Sequence, residues 1–533
     1  MNWKLSYIVV LLFISMSCSD FLDQEPDEQV SINEQLSSRE GVLEAYNGIY
    51  VTIENIFSSK FVVYGDALGG NITFTPAEIG DPDISIPEEI FFAYGFNATP
   101  DELNFDGYYD DWYDVINQVN LILGRVETYS FLSLTESNQL QAELLTIRAL
   151  AHYQISLLFA QHYGFTLDAS HQGVIYNTST LTAGEDFPSR FTMATTYDFL
   201  KNDLDRSLAL FTNSQLQPGP NFSYFNAVSS RALYSRIALQ MDDWERAKDL
   251  ADFVINNSGI TLISSSEYIS SWELNGGVLV GCDENGQDII DISPLSEVIM
   301  EFSAPLTSAD EDNPIETFIP SVSSSISEFF GIFYEKDSGD IDDDGNTCEF
   351  IIDEDGNRRV SNYNVYVASG DLLSLYEVDD TRNEMFIQQA LPTLRNGIIS
   401  DEDYFFTKKF QGDAGTLFIR LTEMYLIRAE SNARLGLAGE SLTDLNTVRT
   451  RANLAPLLST NELIDEIFLE RRRELAFEGH LLFDILRMQR NLERDLGCIA
   501  PICNLSYPSD FFILPIPIDN ILQNENMQQN EGY

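Results

Sequence analysis

Residues 229–257 hold two apolar stripes of helical spacing separated by a tight turn, and this pattern restricts the chain to folds in which helical hairpins stack on one another. Ala232, Leu233, Ile237 and Ala238 lie on one helix, Met241-Asp242-Asp243-Trp244 makes the turn, and Ala247, Ala251 and Val254 line the next. Alanines at the crossing let the two helices approach closely. A hairpin of this kind cannot bury its apolar face alone and needs a neighbour. A second pair is predicted from Arg420 to about Arg451 around Leu435-Gly436, and a third from Glu462 to about Arg490 around Glu478-Gly479-His480. Two further stripes, Leu144, Ile147, Ala151, Ile155 and Leu158, and Phe418, Leu421, Tyr425, Ala429 and Ala433, read as core faces.

The expected fold class is therefore predominantly all-α, a scaffold of tetratricopeptide-like helical pairs out of strict period, with irregular loops and short β insertions. Helical sequence occupies 38–257 and 416–533. Between them, 258–415 is rich in Ser, Gly and Asp and contains short β-prone runs such as Gly277-Val278-Leu279-Val280 and Asn364-Val365-Tyr366-Val367; residues 64–107 have a similar irregular character. Long non-helical stretches on a helical scaffold are where function concentrates.

Charge narrows the partners. Asp and Glu number 84 against 30 Lys and Arg, a formal net charge of −54. Phosphate-binding surfaces need cations to displace counterions, so nucleic acid is excluded as a partner, and anionic headgroups would be repelled. No apolar run reaches the roughly 18 residues that span a bilayer. Neither a Gly-x-Ser-x-Gly elbow nor a His-Glu-x-x-His helix is present, and an abundance of carboxylates does not make a catalytic pair. The chain does not read as an enzyme.

The start of the chain reads as an export signal over 1–17, with Lys4 ahead of an apolar stretch from Tyr7 to Ile14. Cleavage before Cys18 would leave a terminal cysteine for lipidation, as in bacterial lipoproteins; Ser17 is the required small residue, although Ser15 stands where an aliphatic residue is usual. Cleavage after Ser15-Met16-Ser17 to release a soluble secreted protein is the alternative. An acidic tether follows over 18–37. With Cys18 assigned to lipid, four cysteines remain, suited to two disulfides outside the cell. Cys498 and Cys503 bracket a Pro-containing turn and are the first expected pair, leaving Cys282 with Cys348.

Several segments stand in a distinctive order: residues 41–50, 112–120 and 143–153, then Tyr163-Gly164, Pro188-Ser189-Arg190 and Tyr197-Asp198-Phe199. The C-terminal part adds residues 420–430, 446–452 and 470–479, Leu514-Pro515-Ile516-Pro517 and Gln529-Asn530-Glu531-Gly532-Tyr533. Taken together, these segments resemble the SusD/RagB family of surface lipoproteins of Bacteroidetes. The resemblance implies a helical body tethered at the outer membrane that caps a SusC-like TonB-dependent transporter. It also implies capture of a glycan without catalysis, with a peptide-binding RagB-like role or a non-catalytic interaction scaffold as alternatives. The Glu, Arg and Asn residues of these segments are expected in buried pairs and helix caps.

Sugars are recognised by flat aromatic faces with polar groups at the edge, so candidates are aromatics outside the helical stripes. Phe91, Phe92, Tyr94 and Phe96, beside Asn97, form one group. Tyr268 and Trp272, with Phe329, Phe330 and Tyr334, form the other, and Trp272 leads because it is expected outside a clear helix. Net acidity favours a neutral glycan. No cofactor is required. Residues 335–355 hold ten Asp or Glu against one Lys, and Asp340, Asp342 and Asp344 before Gly345 have the spacing of a calcium loop, with Glu349 as an extra ligand. Ile351 stands where the loop's closing Glu belongs, so a solvated acidic hairpin is the competing reading.

Overall fold

In the computed structural model, which describes residues 31–182, 184–212, 214–282, 288–302, 326–335, 350–352, 356, 358–412 and 414–533, helical hairpins stand where the apolar spacing predicts them. The principal helices are α1 (Arg39–Phe57), α2 (Asp106–Leu123), α3 (Leu134–Phe159), α4 (Met193–Leu210), α5 (Ala227–Gln240), α6 (Trp244–Asn257), α7 (Tyr268–Gly276), α8 (Leu421–Arg434), α9 (Ala438–Arg451), α10 (Leu463–Glu474) and α11 (Leu481–Arg487).

Local chemistry sets the hairpin boundaries. The Asn226 side chain accepts from the amides of Val228 and Ser229 to start α5, and Ser229 returns a contact in a capping box. Asp242 turns the chain at φ 59°, and the Asp243 carboxylate caps α6 through the Arg246 amide. Ala232, Ala238, Ala247 and Ala251 are all fully buried at the crossing. They bring the backbones close enough for Ser235 Oγ to donate to the Ala247 carbonyl at 2.8 Å. A Ser133–Glu136 capping box opens α3, which is buried on nearly every side between α2, α4 and α5. α6 packs on α8, α8 on α9, and α10 on both, so the N- and C-terminal helical parts form one stack.

The intervening segment departs from the sequence-based expectation of an irregular region. Among its described residues, Phe386–Arg395 and Ile398–Thr407 form a ten-residue antiparallel hairpin. Asn396 and Gly397 turn it at φ 53° and 80°, as a two-residue primed turn requires. Val298–Phe302 pairs with Thr416–Arg420 where the chain returns to the stack.

The family-like segments supply a lattice of buried ion pairs that clasps this insertion to the helices. Arg420 reaches Glu297 (2.6 Å), Glu474 (2.8 Å) and Glu478 (2.9 Å). Arg382 reaches Asp380, Glu470 and Glu474 at 2.8, 2.7 and 3.0 Å, and Arg451 pairs with Glu297 and Glu474. Lys409 donates to Glu478 Oε1 at 2.6 Å and to the carbonyls of Glu474 and Ala476. Elsewhere Arg148 pairs with Asp203, Arg236 with Glu423, and Arg487 with Glu430 and Asp484. These groups are structural, as the resemblance implies.

One buried carboxyl has no cation against it. Glu143 on α3 accepts from the Tyr46 and Tyr50 hydroxyls and from Gln139 Nε2 at 2.8 Å. Burial lifts its pKa to about 7, and those hydrogen bonds only partly oppose the rise. The folded state then holds this proton more tightly than the unfolded chain. Its stabilising contribution is full below the unfolded carboxyl pKa of about 4.3 and is lost as pH rises to about 7. Glu143→Gln, which mimics the protonated form, is expected to remove about 3 kcal/mol of pH-dependent stability across that window. Urea midpoints of both proteins from pH 4.5 to 8 check this; parallel curves would contradict it.

Candidate functional site

The aromatic candidates from the sequence divide sharply by exposure. Trp272 is fully buried, and it lies inside helix α7 rather than outside a clear helix. The Lys409 ammonium and the Arg420 guanidinium stand 5.0 and 5.7 Å from its ring, and the Phe410 ring meets it edge-on at 5.7 Å. A ring with no open face cannot stack on a sugar, so Trp272 is a core residue. Tyr268 lies under Arg451 at 4.7 Å and donates to Glu474 Oε1 at 3.1 Å. Tyr94 packs against Phe74 and, with Phe96, against Arg494 at 4.2 and 5.0 Å. Phe330 fills the space between Phe410 and Phe477. All four are buried and are likewise reassigned to the core. Irregular backbone misled the reading: these loops fold back onto the helices, and their rings supply the apolar contact.

Asn97 is exposed and Tyr334 half-buried, and around them a different set of rings reaches the surface. Phe91 is 44% exposed on the short helix Phe91–Tyr94, edge-on to the half-buried Phe92 at 5.4 Å. Asn104, at φ 68°, holds this turn: its Oδ1 accepts from the Phe92 amide at 2.8 Å, and its Nδ2 donates to the Glu88 carbonyl at 2.9 Å. Asn and Gly are the residues that tolerate this left-handed conformation best.

Two links join this segment to the second irregular region. Ile72–Phe74 pairs antiparallel with Tyr366–Ala368, and the Tyr366 hydroxyl donates to Glu89 Oε1 at 2.5 Å. Burial and the Glu89 carboxylate push the Tyr366 phenol far above its ordinary pKa, so it stays a donor at any physiological pH. The half-buried Phe329 lies 5.8 Å from the Tyr366 ring. Asn364 Nδ2 donates to the Ser327 carbonyl at 2.8 Å, fixing the turn that leads into the strand Ile332–Tyr334. Phe333 is 40% exposed on this strand. Tyr334 and Phe350 meet edge-on at 5.9 Å, with the Arg358 guanidinium 5.6 and 4.2 Å from their rings.

The result is two sets of exposed and half-buried rings, Phe91 and Phe92 on one segment and Phe329, Phe333, Tyr334 and Phe350 on the other, with the two segments tied together by strand pairing and one hydrogen bond. Asn97, Glu88 and Arg358 add polar groups. Sequence reasoning missed Phe333, Phe350 and Arg358. Strand alternation could have found Phe333, because Ile332 is buried and its neighbour on a two-residue period points outward.

Asp340, Asp342, Asp344 and Glu349 lie outside the described residues, as do Cys18 and Cys348; Cys282 falls in the strand Val278–Cys282, where its side chain is not described. Among the described residues, no group of three or more His, Cys, Asp or Glu is placed to hold a metal ion. Cys498 and Cys503 are joined by a disulfide. No described helix is long and apolar enough to cross a membrane.

With this geometry in place, comparison with known proteins gives a consistent picture. The family model for the SusD family matches residues 394–533, and the model described as "Starch-binding associating with outer membrane" matches residues 20–239. The starch-binding protein SusD of Bacteroides thetaiotaomicron is 35% identical over 130 residues, which cover 23% of this chain and 22% of that protein. A SusD-like protein of Formosa agariphila is 22% identical over an alignment covering 98% of both chains. Among solved structures, a SusD superfamily protein from Bacteroides vulgatus superposes with a TM-score of 0.71 at 21% identity, covering 93% of this chain and 99% of that one. Another, from Bacteroides thetaiotaomicron, superposes with a TM-score of 0.70 at 24% identity, covering 92% and 99%. The structural likeness establishes a shared fold.

Proposed function

The chain belongs to the SusD/RagB family, and from that premise we propose that it is a lipid-anchored outer-membrane protein that binds a glycan on the Phe91–Phe333 surface. It hands oligosaccharide to a SusC-like TonB-dependent transporter. The observation that carries this reading is the joining of two loop segments, far apart in sequence, so that their aromatic rings open to solvent on a rigid helical support. Exposed rings offer the apolar face on which a pyranose stacks, and the adjacent Asn97 side chain offers donors and an acceptor to hydroxyls.

The site holds its ligand and does not cut it. Two of the carboxylates beside it are engaged, Glu89 by the Tyr366 hydroxyl and Glu335 by Arg359 at 2.5 Å. Neither is poised opposite the other across a bond to be broken. Few cations line the surface, so a neutral glycan is the favoured class. The anchor is the Cys18 thiol, exposed as a new terminus once residues 1–17 are removed.

Native affinity electrophoresis against a panel of neutral, uronic and sulfated polysaccharides tests the proposal. At least one neutral polysaccharide is expected to retard the wild-type protein, without release of reducing ends. Retardation by none of them, together with heat on titration with oligopeptides, would transfer the reading to peptide capture.

A further inference from the structure

The Arg494 guanidinium is buried against the segment that carries Phe91 and Asn97, and among the described residues no carboxylate is paired with it. A buried cation is costly unless its donors are met. Here the backbone meets them: Nη2 donates to the carbonyls of Tyr94, at 3.1 Å, and Ile502, and Nε donates to that of Cys503 at 3.1 Å. The guanidinium carbon lies 4.2 Å from the centre of the Tyr94 ring and 5.0 Å from that of Phe96. Nη1 is buried without a partner, so those carbonyls and ring faces are what hold the group. Burial brings its pKa down to about 10, with the Tyr94 phenol opposing, and it remains a cation at neutral pH.

The loop that carries Arg494 is itself fixed. Leu492 and Leu505 exchange backbone hydrogen bonds of 2.9 and 3.0 Å across its base, and the Cys498–Cys503 disulfide closes its far end. Asn504 Oδ1 accepts from the Arg494 amide at 2.8 Å. The disulfide thereby restrains the Ile502 and Cys503 carbonyls that Arg494 grips. The loop is docked on both irregular regions. Thr73 Oγ1 donates to the Gly497 carbonyl at 2.6 Å, the Gly370 amide to the Leu496 carbonyl at 3.1 Å, and the Leu496 amide to Asp371 Oδ2 at 3.0 Å. The packing is close: a Cβ at Gly370 would stand 2.8 Å from the Leu496 Cβ, and one at Gly70 would stand 2.9 Å from the Arg494 Cγ.

What Arg494 holds is the end of the short helix Phe91–Tyr94. The last carbonyls of a helix lack partners within it, and that of Tyr94 takes its donor from Arg494. Two residues on, Phe96 turns the chain at φ 51°, a conformation unfavourable for a bulky side chain. Its ring is pinned between the guanidinium and the Phe512 ring, which meets it edge-on at 6.3 Å. Asn97 follows, exposed, with its amide bonded to the Phe92 carbonyl at 3.2 Å. The two groups offered to a ligand, Phe91 and Asn97, thus flank two buried rings that Arg494 grips from the inside.

We propose that Arg494 is a positioning residue for ligand capture: the disulfide-closed loop 492–505 aims its guanidinium at Tyr94 and Phe96, and this grip sets Phe91 relative to Asn97. The inference rests on the Phe91–Phe333 reading, since the grip matters to binding only if this segment meets the glycan. Arg494 itself does not touch the sugar.

The test compares the wild-type full chain with three variants. Arg494→Met keeps the stem and removes the donors; Arg494→Lys keeps a cation able to reach carbonyls, as Lys409 does; and Cys498→Ser with Cys503→Ser leaves Arg494 in place but opens its cage. Hydrogen exchange by mass spectrometry is read without ligand over 88–104 and, for reference, over the helical hairpin 229–257. Calorimetric titration uses oligosaccharide from the neutral polysaccharide that retards the wild type. Arg494→Met is expected to speed exchange over 88–104 about tenfold with the reference hairpin unchanged, and to weaken the oligosaccharide about tenfold. Arg494→Lys is expected to return both to within about threefold of the wild type, and the serine pair to loosen 88–104 and weaken binding. Recovery by lysine, and confinement to one segment, are results that a general loss of stability would not give. Unchanged exchange over 88–104 in Arg494→Met or in the serine pair, equal acceleration in the reference hairpin, or no recovery by lysine would overturn the proposal. A wild type that binds no polysaccharide removes the Phe91–Phe333 reading and this inference with it, whereas loosened exchange with wild-type affinity removes this inference alone.

Discussion

Glu474→Gln is expected to lower unfolding stability by about 3–5 kcal/mol, the cost of breaking a buried ion pair by removing one partner. Glu474 has no exposed surface, and three guanidiniums converge on it: Arg420 at 2.8 Å, Arg382 at 3.0 Å and Arg451. A carboxamide keeps the shape but leaves those cations under-compensated where water cannot reach them. Folded proteins are stable by only about 5–15 kcal/mol, so the loss is a large share of the total. It should appear as a lower urea midpoint with an unchanged slope; a shift below about 1 kcal/mol by this measure would mean that the lattice is not the clasp described above.

The pH response of the lattice has the opposite sign to that of Glu143. Nearby cations outweigh burial and hold Glu474 well below the usual carboxylate range, and Glu478 and Asp484 at about 2. Their contribution is fully present above the unfolded carboxyl value of about 4 and is lost only as pH falls through about 2. The wild-type protein should therefore stay folded at pH 4, and Glu474→Gln should lose the share of this acid-side dependence that Glu474 carries, while Glu478 and Asp484 keep theirs.

Trp272→Ala is the second large effect, expected at about 3–5 kcal/mol for deleting a fully buried indole. The indole packs against the Phe410 ring and lies beside two cations, and removing it leaves a cavity next to Lys409 and Arg420 with their cation–π contacts gone. The outcome separates the two readings of this residue. A core role predicts that the fraction of Trp272→Ala that remains folded binds glycan as the wild type does. A stacking role, which its burial argues against, would leave stability nearly intact and remove binding.

The helical hairpins were legible in the sequence because their signal is local. Ala232, Ala238, Ala247 and Ala251 mark a close crossing by size and spacing alone, and Met241-Asp242-Asp243-Trp244 marks the turn between the helices. Framework roles for residues such as Arg420, Glu423 and Glu474 were legible through the family resemblance. The site was harder. Whether a ring in an irregular segment is exposed depends on where that segment folds, and nothing local to Trp272 or Tyr94 reveals that Lys409 or Arg494 will lie against it. The ten-residue hairpin was missed for a related reason: Ser400, Asp401, Glu402 and Asp403 read as loop, although the Asn396-Gly397 turn was a usable signal for it.

The most direct test of the glycan surface is calorimetric titration of the wild type and of Phe91→Ala with Phe333→Ala, using oligosaccharide from whichever neutral polysaccharide retards the wild type. Both rings are surface-exposed, so the variant should melt at the wild-type temperature while its affinity falls at least tenfold, about 1.4 kcal/mol. Unchanged affinity in the double variant would place the glycan elsewhere and contradict the account.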